Sequence, residues 1–488
     1  MTLRATIPRL EGVLALVQGE DGLIRVEGAP PRSMESALAG RSCMDAMVLT
    51  QQVSAESGVS HALAAVAAME LAAGGVEIPS NGKLLRDMLH SLSLLQAHLT
   101  HFYFQTLPDY LPLGGLADYN GSLPDVRRVA RGFGDMSREG WTRKGVLPVF
   151  TRQDADTLTE HLVESARVLE ILQRMMAVVG GKHPVVMSVV PGGVSIHLDE
   201  EKIIRLDTLL GETEDFLTDT VLNDGKSLLR YMPHLKSLGR GVPGFISMGG
   251  GEESTLTIPK GAFYQGRLVP LEGKILESLT TSFYSLPPTP GETANAAADP
   301  AKKGAYSWVK APRFQGDPME AGAIARLVIT QLTGTDAQAA KNSMLIEETL
   351  GVALAVANTV GGRMLARLSE MGLLVSRCRS ILEKLEPGQP AAKDGRKVLG
   401  ASGEGTGAIE APAGALQHKV VLEDGIIRYY DIISPSTWNG SPRDPKGATG
   451  SLETALQTHR PNLASGEGVR LASQIVQSFA FSAADAIQ

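Results

Sequence analysis

The sequence predicts a mainly α fold carrying small β elements, and three features of it say so. Long stretches place Leu, Met and Ala at i, i+3, i+4 spacing, the period of a helix with one face in a core. Runs of β-branched residues are short and lie between Gly-rich turns, too short to build one large sheet. The 488 residues are 43% hydrophobic, with 46 Lys plus Arg against 53 Asp plus Glu, so there is chain enough for a large core under a mildly acidic surface. We take residues 1–488 as a single body.

In chain order, residues 1–30 form a β-rich N-terminal hairpin, with Arg9 to Ile24 alternating loosely and a turn at Glu20 to Gly22. Ser33 to Gly74 is helical and Ala-rich, and its ALAAVAAMELAA segment is small-sided enough to pack closely against neighbouring helices. Lys83 to Gln105 and Asp154 to Val179 are long helices, and Gly180 to Ile196 is a turn, a buried strand and a second turn. Residues 241–284 form a small β-rich subdomain and residues 286–304 an exposed loop. Asn342 to Leu385 is a long apolar helical region, and Glu386 to Gly414 is loose and rich in Gly, Ala and Pro. Residues 416–488 give a C-terminal strand (Val420 to Ile433), a polar loop (Ser434 to Gly450) and a final helix (Gly468 to Phe481).

Several function classes fall away on composition. The net charge of −7, without long like-charge runs, argues against a nucleic acid or an anionic membrane surface as main partner. No apolar run reaches the roughly 18–20 residues of a spanning helix, and the opening MTLRATIPRLEG has no secretory core. A cytoplasmic location is expected, with membrane association or export only through a partner subunit. Two cysteines, Cys43 and Cys378, cannot make a disulfide framework, a zinc knuckle or an iron–sulfur binding set, and both sit among apolar neighbours as small buried hydrophobes. MGGGEES (Met248 to Ser254) and GEGTG (Gly403 to Gly407) do not follow a strand and open a helix, as a phosphate loop does. His98 and His101, three apart beside Phe102 and Tyr103, read as packed core histidines.

Read together, the segments resemble the large subunit of nickel–iron hydrogenases almost end to end. PRLEG (Pro8 to Gly12) is similar to that family's R-I-E-G, and PPRSMES to its R-G-x-E. LAGRSCMDAMVLTQQVSAESGVSHALAA resembles the R-I-C-G-V-C segment and the histidine helix after it. YSWVKAPRFQGDPMEAGAIAR and ISPSTWNGSPRDPKGATG resemble two further family blocks, and the closing SFAFSAADAIQ falls on S-F-D-P-C-x-x-C-x-x-H. The resemblance implies a long-helix core with peripheral β elements, a fold shared with the quinone-site subunit of respiratory complex I.

The departures from the family carry the functional reading. Four cysteines hold nickel and iron there; here those positions are Ser54, Ser57, Ser482 and Asp485. The arginine opening the first motif is Gln52, the arginine over the iron's diatomic ligands is Ala413, and the C-terminal histidine at the mature boundary is Gln488. Glu35 aligns with the proton-transfer glutamate, His61 with the histidine beside the bridging thiolates, and Ser436 with the hydroxyl that bonds a cyanide ligand. Glu11 aligns with a magnesium-site glutamate, so a magnesium is placed at Glu11 and Gln488, or held through Glu11 and Asp485.

Hydroxyls do not replace bridging thiolates, because a serine stays protonated and is a hard donor. The expectation is therefore no nickel–iron centre, iron–sulfur clusters only in a partner, and a heterodimer or larger complex with a hydrogenase small-subunit-like iron–sulfur protein. Such a chain is not an active hydrogenase by itself and would serve within an oxidoreductase complex. Two alternatives stay open: a hydrogenase assembly scaffold, or a new enzyme in the emptied pocket around Glu35, His61 and Asp485.

Overall fold

The computed structural model describes residues 2–7, 10–28, 33–111, 150–251, 257–271, 275–286 and 296–486. Alternating burial drives the N-terminal strands β1 (Leu3–Ile7), β2 (Leu14–Gln18) and β3 (Ile24–Val26) into an antiparallel sheet in sequence order, pairing Ile7 with Leu14 and Leu16 with Val26. A hairpin was expected here; a third strand completes the sheet because Leu16 and Val26 both bury an inward side chain.

The Ala-rich region divides into α1 (Met34–Leu38), α2 (Cys43–Leu49) and α3 (Gly58–Ala72). Helix α4 (Ser80–Thr100) runs on into a π-helical turn over His101–Thr106, and α5 (Arg152–Gly180) starts at a Thr151 cap whose hydroxyl accepts from the Asp154 amide. A two-residue hairpin, β4 (Val189–Val190) with β5 (Gly193–Val194), is followed by α6 (Glu200–Gly211) and α7 (Val221–Tyr231). The β-rich segment gives an antiparallel sheet of β6 (Phe245–Gly250), β7 (Ile258–Tyr264) and β8 (Arg267–Val269). Strand β9 (Ile275–Ser278) instead pairs with β10 (Ala311–Phe314), beyond the boundary expected from the sequence. Within the expected loop at 286–304, Leu286 and most of 296–304 are exposed, while 287–295 lie outside the described residues.

The long apolar region after α8 (Ala323–Thr333) is two helices. Helix α9 (Ala337–Leu350) stops at Gly351, whose φ of 72° is left-handed, and α10 (Val360–Lys384) restarts where the Thr359 hydroxyl accepts from the Gly362 amide. Glu386 to Gly414 departs from the loose segment expected. That stretch is not loose throughout, because it contains β11 (Gly403–Ala411), which joins β12 (Gly414–Glu423) and β13 (Ile426–Ile433) in an antiparallel sheet. Its glycines recur every second residue, and a Cβ at Gly403, Gly405 or Gly407 would stand 2.4, 2.0 or 2.1 Å from the carbonyl oxygens of Ala72, Ala68 and Ala64. The glycines and the small-sided α3 are thus one device that lays a strand directly on a helix backbone.

Ser434 to Gly450 also departs from the polar loop expected. It opens with α11 (Pro435–Asn439) and is largely buried rather than an exposed polar loop. Arg313 makes this burial tolerable, giving hydrogen bonds of 2.9 Å to Asp444, Ser441 and the carbonyls of Pro442 and Ala448. Helices α12 (Ser451–His459), α13 (Gly466–Ser478) and α14 (Ala483–Ala486) finish the chain. One core cluster contains residues from Ala5 to Ala486, so β1 and α14, the first and last described elements, share one interior.

Candidate functional site

Two short turns, one entering α3 and one entering α14, are built alike. In the first, the Ser54 hydroxyl oxygen accepts from the Ser57 amide at 3.2 Å; in the second, that of Ser482 accepts from the Asp485 amide at 3.0 Å. Each serine then donates its own proton to the same oxygen, Glu11 Oε2, at 2.6 Å from Ser54 and 2.9 Å from Ser482. The other Glu11 oxygen accepts from the Ala55 amide, and the Glu11 carbonyl accepts from the Ala483 amide at 2.8 Å. Glu11 therefore ties together two segments more than 400 residues apart in sequence.

Asp485 faces elsewhere. Its Oδ1 lies 2.9 Å from His61 Nε2, His61 Nδ1 lies 2.9 Å from His418 Nε2, and His418 Nδ1 lies 2.8 Å from the Tyr430 hydroxyl. All four side chains are fully buried. Burial, with His61 alongside, holds His418 well below the usual histidine range, and burial pushes the Tyr430 phenol up. With neutral His418 and protonated Tyr430, one arrangement gives every group a partner. Tyr430 donates to His418 Nδ1, His418 Nε2–H donates to His61 Nδ1, and His61 Nε2–H donates to Asp485; this assignment rests on satisfying the network.

The hydrogen bonds of Glu35 go to groups other than His61 and Asp485. Both of its oxygens lie 2.8 Å from Lys310 Nζ, and Oε1 also accepts from the Ile432 amide at 3.1 Å. Glu277 and Asp431 approach the same ammonium at 3.8 and 3.6 Å, so three buried carboxylates share one lysine. Burial pushes Glu35 up to about 7 against the pull of Lys310, and Asp431 adds to the rise. Glu11 thus meets Ser54 and Ser482, and Glu35 is in an ion cluster.

The remaining expected residues divide likewise. Ser436 belongs to the site, its hydroxyl accepting from the Ser482 amide at 3.0 Å. Ala413 lies buried in the turn between β11 and β12, and Gln52 is exposed at the end of a 3-10 turn, Thr50–Gln52. Gln488, like Pro8, Arg9 and Arg32 of the opening motifs, lies outside the described residues. His98 and His101 are core histidines as expected: His98 Nε2 is 2.7 Å from Glu370, His101 Nε2 is 2.6 Å from the Gln477 carbonyl, and burial lowers both, His98 to about 4. Cys43 and Cys378 are buried thiols, Cys378 pushed up by burial to about 12.

Four residues escape the sequence reading: His418, Tyr430, Lys310 and Glu56. His418 and Tyr430 stand at inward positions of alternating strands, the one signal available for them. Glu56, half-buried in the first turn, accepts from Gln105 Nε2 at 2.5 Å. Burial, then the nearby Glu11, pushes Glu56 up to about 7.

The family model for nickel-dependent hydrogenases matches residues 32–120 and 149–479. This chain belongs to that family. The match ends three residues before Ser482. As a relative of this hydrogenase-family chain, the periplasmic NiFeSe hydrogenase large subunit of Desulfomicrobium baculatum is 27% identical over 92% of the chain and 88% of its own length. The hydrogenase-1 large chain of Escherichia coli is 25% identical over 87% and 84%. The oxidised NiFeSe hydrogenase structure from Desulfovibrio vulgaris Hildenborough covers all of both chains with a TM-score of 0.84 at 23% identity, so the mainly α fold with small sheets is shared.

The donor set does not fit a nickel–iron pair. Three hydroxyls and one carboxylate offer no soft bridging sulfur, and two of the hydroxyls already donate to Glu11.

Proposed function

We propose that this hydrogenase-family chain works without a nickel–iron centre, as the non-nickel subunit of an iron–sulfur oxidoreductase complex. The observation that carries the reading is the shared acceptor: Ser54 and Ser482 both donate to Glu11 Oε2, so two of the former ligand positions are satisfied by a carboxylate. Four thiolates would bring four negative charges to the metals; serine hydroxyls bring none at neutral pH. Any magnesium at Glu11 would have to displace the hydroxyl and amide donors already there. The role of an electron-transfer subunit rests on similarity running from residue 32 to α13, which spans relatives named as large subunits. Its expected partner is a small-subunit-like iron–sulfur protein, and its location follows that partner; no helix among the described residues is long and apolar enough to cross a membrane.

Co-expression with a small-subunit homologue, followed by elemental analysis and a hydrogen–deuterium exchange assay on the purified complex, tests both halves. The expected result is a stable complex whose iron is accounted for by the partner's clusters, with no stoichiometric nickel and no exchange activity. One nickel per chain would overturn the first half, and a chain that purifies alone would overturn the second.

A further inference from the structure

Between α2, the β4–β5 hairpin and the 3-10 turn Arg396–Gly400 lies a groove of about 360 Å³, within the roughly 300–1,000 Å³ usual for small-molecule sites. Met44, Val190, Pro191, Val398 and Leu399 make its wall apolar. Leu399 is 49% exposed, although the same turn buries Val398 almost completely. Every residue of the wall, with its neighbours in sequence, lies among the described residues.

The walls cannot close on one another. The β4–β5 hairpin and the chain at 391–395 already touch backbone to backbone, the Val194 amide donating to the Ala391 carbonyl at 2.9 Å and the Lys393 amide to the Gly192 carbonyl at 3.0 Å. A Cβ at Gly193 or Gly395 would stand 2.2 or 2.1 Å from the carbonyl oxygens of Ala391 and Pro191, so no closer approach is available. On the third side Cys43, next to Met44, donates its thiol to the Val398 carbonyl at 3.4 Å and holds α2 to the 3-10 turn. The groove is therefore preformed, and its apolar wall faces water until something covers it.

No charge in the wall is left to select an ion. Arg396 Nε lies 2.9 and 3.1 Å from the two Asp394 oxygens and Nη2 lies 2.7 Å from one of them, and Lys393 pairs with Glu77. Lys397, on the same turn, does not line the groove. An ion entering here would give up water for an apolar wall and meet only charges already paired, whereas an uncharged apolar molecule gives up nothing polar.

We propose that this groove binds an uncharged apolar small molecule, its body lying against Met44, Val398 and Leu399. The site shares no residue with the Glu11 and His61 clusters and does not depend on whether the chain binds nickel.

Fluorescence titration of the full chain with N-phenyl-1-naphthylamine, whose emission rises on leaving water, tests it. The matched anion is 8-anilinonaphthalene-1-sulfonate, the same rings with one sulfonate added. The variants are Leu399→Asp and Leu399→Met at an exposed wall position, and Ser195→Trp, which puts a large ring into the groove from the end of β5. One saturable site for the neutral probe is expected, weakened about tenfold or more by Leu399→Asp and by Ser195→Trp, changed less than about twofold by Leu399→Met, and about tenfold or more weaker for the sulfonate. Absence of saturable binding, equal affinity for the sulfonate, or binding that neither Leu399→Asp nor Ser195→Trp changes would overturn the proposal. So would a site that vanishes when the chain is in complex with its partner, because the occupant would then be a protein surface.

Discussion

Replacing Lys310 by Met removes the one ammonium that three buried carboxylates share. The ammonium sits 2.8 Å from both Glu35 oxygens, 3.8 Å from Glu277 and 3.6 Å from Asp431, and the Lys310 side chain is only 7% exposed. Breaking a buried pair from one side costs about 3–5 kcal/mol, because the partner is left charged and unsolvated. The loss depends on pH. Burial, then Asp431, already raises Glu35 from 4.5 to about 7 in the folded chain against the pull of Lys310, so the folded state holds that proton more tightly than the unfolded state. Stability from this group is full below 4.5 and is lost as pH rises through about 7. Without Lys310 the folded carboxyl moves higher still and the decline extends into alkaline pH. At pH 8 the variant is therefore expected to lose the full 3–5 kcal/mol, and at pH 5 clearly less. Scanning calorimetry at a fixed scan rate checks this, with shifts of roughly 2 °C or less per kcal/mol for so long a chain. Adding Glu35→Gln to Lys310→Met should recover part of the loss at pH 8. Equal losses at pH 5 and pH 8, or a variant as stable as its parent at pH 8, would refute the reasoning.

Two further perturbations separate packing from polar satisfaction. Gly405→Ala places a methyl 2.0 Å from the Ala68 carbonyl oxygen and 2.4 Å from the Ala72 amide nitrogen, whereas Gly400 has nothing within 4 Å of a new Cβ; limited proteolysis should show a much weakened chain for the first and parent-like resistance for Gly400→Ala. Tyr430→Phe strips His418 Nδ1 of its 2.8 Å partner inside the core and should cost about 1–3 kcal/mol in a calorimetric scan. Nitrogen-15 histidine spectra of the parent should show His61 and His418 both carrying the proton on Nε2, and a proton on His418 Nδ1 would contradict the assigned direction of the chain of hydrogen bonds.

Local pattern made parts of the fold legible. The long helices announced themselves through 3.6-residue periodicity, and the buried thiols and core histidines through their apolar neighbours. Strand β11 was not legible, because Gly403, Gly405 and Gly407 look like loop residues until the carbonyls of α3 are seen against them. The buried loop after Ser434 misled in the same way: its polar residues are satisfied by Arg313, more than 120 positions away in sequence.

What the sequence determined by itself is which donors stand where the resemblance places the family's metal ligands. Ser54, Ser57, Ser482 and Asp485 are identities, and the hardness of oxygen follows from identity alone. Which glutamate meets them was decided only by the tertiary structure. Glu11 and Glu35 are both acids near the N-terminus, and nothing local distinguishes a carboxylate that will receive two serine hydroxyls from one that will receive a lysine. Their partners Ser482, just before α14, and Lys310, just before β10, arrive at separations where spacing along the chain no longer constrains distance, so packing alone assigns them.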